Sequence, residues 1–246
     1  MRYWDFRESG KPQYDYYAYT DGSYLVPKNF GAAACIVLDR DAERVRKELK
    51  EQGVLLVNLM SSPGSGKTTL LSRVITDLKD KLRIGVMEAD IASSVDAETI
   101  EGIGGKAIQA HTDGMCHVDA GMTKEALDAI DVSDLDLVFL ENVGNLICPA
   151  EYDTGAEKNV MILSVPEGDD KPLKYPLMFT KADVVVVNKI DSMEVFDFSP
   201  ERFKQYVAEC CPDAPVFMVS AATGEGIIAL SEWVGERAKE ILEYIG

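Results

Sequence analysis

Hydrophobic and polar positions fall into two kinds of block along the chain. Short, wholly apolar runs predict buried strands, and runs with apolar residues three or four apart predict amphipathic helices. The predicted strands are 54–60, 82–89, 107–110, 135–140, 160–165, 183–188 and 216–219, and the predicted helices are 39–52, 67–79, 94–103, 119–130, 172–180, 200–210 and 226–244. Strands that are apolar throughout need cover on both sides. The pattern therefore predicts an α/β fold, with a mostly parallel sheet flanked by helices on both faces.

The first part of the chain has a different character. Residues 1–30 are rich in Tyr, Asp, Gly and Pro and show no sustained period, so we expect a tail or an extended arm. Residues 31–38 form a short apolar run of uncertain type. We therefore divide the chain into an N-terminal extension, residues 1–38, and one α/β domain, residues 39–246.

The balance of charge narrows the range of partners. The chain has 25 Lys and Arg against 42 Asp and Glu among 246 residues, which gives a formal net charge of −17. Binding to nucleic acid needs an excess of Lys and Arg, and so does docking on an anionic membrane, so both are disfavoured. The sequence has no apolar run long enough for a transmembrane helix or typical of a signal peptide. The expected location is the cytoplasm.

A candidate phosphate-binding loop follows the first long strand. Residues 61–68, S-S-P-G-S-G-K-T, match the pattern G-x-x-x-x-G-K-[ST] except that Ser61 replaces the first Gly. Gly64 and Gly66 let main-chain N–H groups turn toward phosphate, Lys67 would reach the β- and γ-phosphates, and the Thr68 hydroxyl would bind Mg²⁺. The alternative is a glycine-rich turn that caps a helix, but the strand–loop–helix context favours a nucleotide. The predicted phosphate-binding residues are Pro63, Gly64, Ser65, Gly66, Lys67, Thr68 and Thr69.

The choice of base depends on residues 188–191, N-K-I-D, at the end of a later strand. The Asp191 carboxylate can accept hydrogen bonds from the N1–H and exocyclic amine of guanine, which adenine lacks in that arrangement. A polar strand end is the alternative. Ser220 and Ala221, at the end of the next strand, complete a guanine-binding pattern with Asn188 and Lys189. The predicted nucleotide is therefore GTP or GDP.

Two acidic residues lie where chemistry on the γ-phosphate needs them. Asp90 and Glu141 each follow or end a predicted strand, and ligand sites in open α/β sheets lie at the carboxyl ends of strands. We assign Asp90 to Mg²⁺ and the attacking water, Glu141 to the outer shell of the metal, and Gly144 to sensing the γ-phosphate. Helix caps or solvated loop acids are the alternative. Lys67, Asp90 and Glu141 are thus the predicted catalytic set, and hydrolysis should be slow because no water-positioning Gln or arginine finger is evident.

The cysteines and histidines form a second constellation. The five cysteines are odd in number and irregularly spaced, which does not suggest a disulfide scaffold. Cys116 and His117 are adjacent and Cys148 lies shortly after Glu141, a spacing unlike that of structural zinc sites. Thiolate and imidazole ligands suit Ni²⁺ or Zn²⁺, with a second subunit completing the site. The alternative is buried cysteines beside a surface histidine. The cysteines expected to be core or incidental are Cys35, Cys210 and Cys211.

Taken together, these motifs resemble the HypB family, the GTPases that assist nickel insertion into [NiFe]-hydrogenase. The resemblance runs from about residue 40 to the end, and Ser61 is normal in this family. The matching stretches are 57–69, 90–98, 116–120, 141–150, 167–176 and 188–191.

The resemblance implies more than the residues show by themselves. It implies that residues 39–246 are a GTPase domain, and that the protein is a GTP-dependent homodimer. It implies a metal site at Cys116, His117 and Cys148, shared across the two-fold axis, where nickel and zinc compete and where nucleotide state changes metal affinity. The implied partners are a HypA-type nickel chaperone and the hydrogenase large-subunit precursor.

Some features depart from that family, and two alternatives stay open. The first 34 residues contain neither Cys nor His, so a separate N-terminal nickel site is not expected. One alternative is the related urease GTPase, UreG, in which a Pro separates the Cys and the His. The other is a GTP-dependent scaffold whose Cys and His are only structural.

Overall fold

The computed structural model describes residues 2–5, 15–18, 25–27, 31–89, 100–103, 105–112 and 114–245, with side chains described from residue 40 onward. Its first strands are β1 (Arg2–Asp5), β2 (Asp15–Ala18) and β3 (Leu25–Pro27), which pair antiparallel in the order β1-β2-β3. The sequence predicts only a tail or extended arm here. These strands are too short to show a period, although their Tyr and Val residues favour extended backbone.

A seven-stranded sheet forms the centre of the rest of the chain. Its strands are β4 (Leu55–Ser61), β5 (Ile84–Glu88), β6 (Lys106–Gln109), β7 (Leu137–Glu141), β8 (Lys158–Ser164), β9 (Val184–Asn188) and β10 (Val216–Met218). The order is β10-β9-β8-β4-β7-β5-β6, and every neighbouring pair is parallel. Strands β4, β5, β7 and β9 are buried along their whole length, as expected for strands covered on both faces.

Helices cover both faces of this sheet. They are α1 (Gly31–Glu51), α2 (Lys67–Leu78), α3 (Ala120–Ile130), α4 (Lys171–Lys174), α5 (Pro176–Thr180), α6 (Pro200–Cys210) and α7 (Ile227–Ile245). Helices α2 and α7 contribute to one apolar cluster. The opposite face carries a cluster with α1 and α3 and another with α5 and α6. The predicted fold class is confirmed: a parallel sheet between two layers of helices.

Two helices differ from their predicted extents. Helix α1 begins at Gly31, so the apolar run 31–38 forms its first turns, and the proposed division of the chain after residue 38 falls inside this helix. The prediction of a single helix over 172–180 is wrong, because the helix is interrupted at Tyr175, whose backbone is not helical (φ −130°, ψ 54°). Pro176 lacks an N–H group and disfavours helical backbone in the residue before it, which explains the break.

The remaining predictions match closely, except where the chain is not described. Asp119 caps α3, since its side chain accepts a hydrogen bond from the N–H of Met122. Of the predicted helix 94–103, residues 100–102 are helical and the preceding part lies outside the described residues, as does Asp90. Within the described part of the chain, no helix combines the length and apolar character that a membrane span requires.

Candidate functional site

The predicted phosphate loop connects the central strand β4 to helix α2 at the carboxyl edge of the sheet. Gly64 (φ +74°) and Gly66 (φ +86°) both have left-handed backbone, which glycine adopts without strain. A Cβ at Gly66 would also lie 2.6 Å from Nδ2 of Asn188. Around them, Pro63 and Thr69 are exposed and Ser65 is buried. The loop therefore needs glycine where the sequence motif places it.

Three of the predicted catalytic and Mg²⁺-binding residues meet directly behind this loop. The ammonium of Lys67 donates to the main-chain oxygen of Asn142 at 2.7 Å and lies 3.7 Å from Oε1 of Glu141. The hydroxyl of Thr68 donates to the same Glu141 oxygen at 2.7 Å. The Lys67 and Glu141 side chains are only 7% and 3% exposed, so the two charges compensate each other in the interior. Hydroxyl and carboxylate oxygens are the donors that Mg²⁺ prefers, so this arrangement fits the ion.

The predicted guanine-binding residues are held against the phosphate loop. Asn188 donates from Nδ2 to the carbonyl of Ser65 at 2.9 Å and accepts from the N–H of Ala221 at 3.0 Å. Lys189, whose backbone is left-handed (φ 63°), donates from Nζ to the carbonyl of Gly64 at 2.7 Å. These contacts join the ends of β9 and β10 to the loop that would hold the phosphates.

The carboxylate of Asp191, which the sequence predicts to read the base, is itself oriented by a neighbour. The hydroxyl of Ser220 donates to Oδ1 of Asp191, and it also accepts from the N–H of Thr223 at 3.1 Å. Arg73, on helix α2, donates from Nε to the carbonyl of Ala221 at 3.1 Å. Asn188, Lys189, Asp191, Ser220 and Ala221 are therefore brought together as predicted.

The loop after β7 approaches the phosphate loop closely. A Cβ added to Gly144 would lie 3.2 Å from Cα of Pro63, so a side chain there would push the two loops apart. On the other side, the hydroxyl of Ser62 donates to Oε2 of Glu167. Oε1 of Glu167 accepts from the N–H of Ser164 at 2.8 Å, which fixes the carboxylate at the end of β8.

The structure brings together two of the three predicted nickel or zinc ligands. Sγ of Cys116 lies 2.7 Å from Sγ of Cys148, and both cysteines are free thiols. The hydrogen bond to Cys148, followed by burial, raises the pKa of the Cys116 thiol above its ordinary value. His117 is buried and its ring stacks on Tyr152, with ring centres 3.5 Å apart. Over the described residues, no three or more His, Cys, Asp or Glu side chains are gathered closely enough to hold a metal ion.

The other cysteines behave as the sequence suggests where they are described. Cys210 and Cys211 are half-buried against the apolar cluster of α5 and α6, and burial raises the pKa of both thiols. The side chain of Cys35 lies outside the described residues.

Sequence reasoning missed four residues that support the site. Arg73 and Glu167 fix the loops around the predicted nucleotide position, Tyr152 stacks on His117, and Asn58 hydrogen-bonds to Asn142. The sequence contains only an indirect indication of these residues, and it concerns Asn58. Asn58 is a polar residue inside a buried strand, and such a residue needs a buried partner.

Comparison with known proteins identifies the family. The family model described as "CobW/HypB/UreG, nucleotide-binding domain" matches residues 55–218. The "Hydrogenase/urease maturation factor HypB" of Helicobacter hepaticus is 42% identical over 203 residues, which cover 81% of this chain and 83% of that relative. This chain belongs to the HypB family.

Solved HypB structures support the same assignment. A crystal structure of HypB from Helicobacter pylori in complex with nickel is 38% identical, with a TM-score of 0.78, and the match covers 83% of this chain and 96% of that one. HypB from Archaeoglobus fulgidus is 36% identical with a TM-score of 0.78, over 82% and 99% of the two chains. The resemblance to HypB inferred from the motifs is thus confirmed, and with it a nucleotide-binding domain. The role of each individual site residue stays a prediction.

Proposed function

We propose that this protein is a GTP-hydrolysing metallochaperone that assists nickel delivery into [NiFe]-hydrogenase during its maturation. One observation carries the proposal. The loop segment 142–148 begins at Asn142, whose main-chain oxygen accepts a hydrogen bond from Lys67 of the phosphate loop. The same segment ends at Cys148, whose Sγ lies beside Sγ of Cys116. A nucleotide site and a thiol pair are therefore connected by one short segment, which suits a protein that couples GTP to a metal.

In this proposal the phosphate loop binds GTP and GDP. The N–H groups around Gly64 and Gly66 and the N-terminus of α2 face the phosphates, because helix N-termini attract anions. Lys67 leaves Asn142 and neutralises the β- and γ-phosphates. Asp191, oriented by Ser220, accepts hydrogen bonds from guanine.

Hydrolysis uses the residues beside the γ-phosphate. Mg²⁺, when bound, neutralises charge that develops on the phosphate oxygens. Thr68 and Glu141 would hold that ion, with Glu141 in its outer shell, and Asp90 would contact the ion and orient the attacking water. Gly144 brings the β7 loop against the phosphate loop, where its N–H group would sense the γ-phosphate.

Nickel is the cargo in this account, and Cys116 and Cys148 are its first two ligands. His117 would have to leave its stack on Tyr152 to join them. We propose that a homodimer completes the site, since two adjacent thiolates per chain leave coordination positions open to a second subunit. Zinc accepts the same ligands and would compete.

The proposed partners follow from the delivery role. A HypA-type nickel chaperone would supply the metal, and the hydrogenase large-subunit precursor would receive it. Residues 39–246 would act as the GTPase domain, with residues 1–38 as an extension, and delivery would take place in the cytoplasm.

A second recipient is favoured by one observation. The Helicobacter hepaticus relative is described as a hydrogenase/urease maturation factor, so urease is the alternative target of the same nickel cycle. The gene should restore hydrogenase activity in a strain that lacks its own HypB. Restoration of urease activity alone would show that urease is the recipient of the nickel, and it would leave the proposed GTPase activity unaffected.

The GTPase itself is tested on the purified chain. Phosphate release with Mg²⁺ should be slow and specific for GTP. Hydrolysis of ATP as fast as GTP would contradict the guanine assignment. Absence of both activities, with native fold confirmed by circular dichroism, would contradict the proposed enzyme.

A further inference from the structure

Three asparagines form a chain of amides across the centre of the sheet, in which Asn58 and Asn142 are buried and Asn159 is half-buried. Nδ2 of Asn142 donates to Oδ1 of Asn58 at 3.0 Å, and Nδ2 of Asn58 donates to Oδ1 of Asn159 at 2.9 Å. The three residues belong to the neighbouring strands β7, β4 and β8, with Asn142 directly after β7. Asn58 and Asn159 are register partners, which places their side chains on the same face.

This chain of amides lies where burying a polar group costs free energy. Asn58 is 2% exposed and Asn142 is fully buried, and the flanking residues Leu56 and Met60 of the same strand face apolar clusters. Well-packed apolar residues would fill such a position with little or no loss of stability. The amides therefore point to a positioning role rather than to stability.

One end of the amide chain reaches the nucleotide site. Asn142 is held by its side chain through Asn58, and its main-chain oxygen accepts from Nζ of Lys67 at 2.7 Å. Phosphate that draws Lys67 away breaks this contact. The side chain of Asn142 would stay tied to Asn58 of β4, which in turn bonds to Asn159 of β8.

The segment that starts at Asn142 has its own internal ties. Oδ1 of Asn145 accepts from the N–H of Ile147 at 2.8 Å and of Cys148 at 3.3 Å, so hydrogen bonds tie the second half of the segment together. Gly144 lies against Pro63 between these two ends. Segment 142–148 thus touches the phosphate loop twice and ends at the thiol pair.

We propose that Asn58 is a positioning residue that anchors Asn142. When phosphate draws Lys67 away from Asn142, residues 143–148 then shift and the reactivity of the Cys148 thiol changes. Without Asn58, Asn142 would keep on β4 only the bond from its main-chain N–H to the oxygen of Leu59, at 3.1 Å, and the end of β7 would absorb the change instead. This inference rests on the proposed function, because it requires a nucleotide to occupy the phosphate loop.

The test compares Asn58→Leu, which keeps the number of side-chain heavy atoms and the branching at Cγ but removes the amide, with the wild-type full chain. Alkylation of Cys148 by iodoacetamide is followed by peptide mass spectrometry, with and without a non-hydrolysable GTP analogue. In the wild type the analogue should change the rate at Cys148 by at least about fivefold, the lower range of coupling between sites. In Asn58→Leu the change should fall below about twofold. Cys210, outside the segment, should respond to nucleotide in neither protein.

A second pair of variants avoids the buried centre of the amide chain. Asn159→Asp keeps an acceptor for Nδ2 of Asn58, whereas Asn159→Leu removes it. The Asp variant should keep the nucleotide response at Cys148 and the Leu variant should lose it. This pair decides the matter if Asn58→Leu does not fold.

The outcomes separate the inference from the proposed function. Binding of a fluorescent GTP analogue is measured on every variant. No binding to the wild type would contradict the proposed function. Binding together with a full response at Cys148 in the Leu variants, or no response in the wild type, would overturn the role of Asn58.

Discussion

The ammonium of Lys67 lies 2.7 Å from the main-chain oxygen of Asn142, at the first residue of the segment that ends in Cys148. Both side chains are buried, so this contact is shielded from water. Phosphate must therefore compete with a protein group for Lys67. Any displacement of the Lys67 ammonium breaks its hydrogen bond to the main-chain oxygen of Asn142.

Replacement of Lys67 tests the phosphate site. Lys67→Ala removes the positive charge that would stabilise the γ-phosphate, so phosphate release from GTP should fall by at least about a hundredfold. The control is Lys79→Ala, which removes an exposed lysine at the other end of α2. Release by Lys67→Ala within threefold of wild type would show that this loop does not act on the γ-phosphate.

The base assignment is tested at Asp191. Asp191→Asn replaces a two-fold acceptor by a side chain that also donates, so guanine loses a hydrogen bond to its exocyclic amine. GTP affinity should fall by about tenfold or more, and affinity for XTP, which carries an oxygen in place of that amine, should rise. Competition binding with a fluorescent nucleotide measures both, with the exposed Asp213→Asn as the control. Unchanged GTP affinity would refute base reading by Asp191.

Much of the fold follows from local patterns. The apolar runs that became β4, β7 and β9 are buried throughout, so pattern alone sufficed to place them. The N-terminal strands are too short to show a period, and β1 to β3 were missed for that reason. The break at Tyr175 could have been foreseen from Pro176, since proline restricts the residue before it.

The site was predictable where a motif fixes it and unpredictable where packing does. Lys67, Thr68 and Glu141 converge because parallel strands end at one edge. The contact of Asn58 with Asn142 depends on strand order, which a single sequence does not reveal. The stack of His117 on Tyr152 is likewise a tertiary contact.

The thiol pair is tested by nickel titration. Thiolate bound to Ni²⁺ gives charge-transfer absorption, so Cys116→Ala and Cys148→Ala should each abolish most of that band. Cys210→Ala, which alters a cysteine against the apolar cluster of α5 and α6, serves as the matched control and should leave it intact. A spectrum unchanged in Cys116→Ala would remove this residue from the metal site.

The ion pair between Arg83 and Asp136 predicts a pH dependence of stability. Nη2 of Arg83 donates to Oδ1 of Asp136 at 2.6 Å, and this hydrogen bond holds the pKa of Asp136 below its ordinary value of 3.8. The folded carboxylate resists protonation, so its stabilisation is complete above that value and is lost as the pH falls below it. Arg83 is largely exposed, which limits the effect.

Asp136→Asn should therefore lower the melting temperature at pH 7 by about 1–4 °C, and the difference from wild type should shrink below pH ~3.5. Thermal unfolding followed by circular dichroism across this range measures it. The control is the exposed Asp213→Asn, because the charge of Asp134 also acts on Arg83. If the difference in melting temperature between wild type and Asp136→Asn grew as the pH fell, the proposed stabilisation by ionised Asp136 would be contradicted.

The most direct test of the account is the spectrum of the nickel-loaded protein with and without a non-hydrolysable GTP analogue. The account predicts that the analogue shifts the thiolate-to-nickel absorption and changes nickel affinity by about fivefold or more, because both sites share the segment from Asn142 to Cys148. An identical spectrum and affinity, with the analogue shown to be bound, would contradict it.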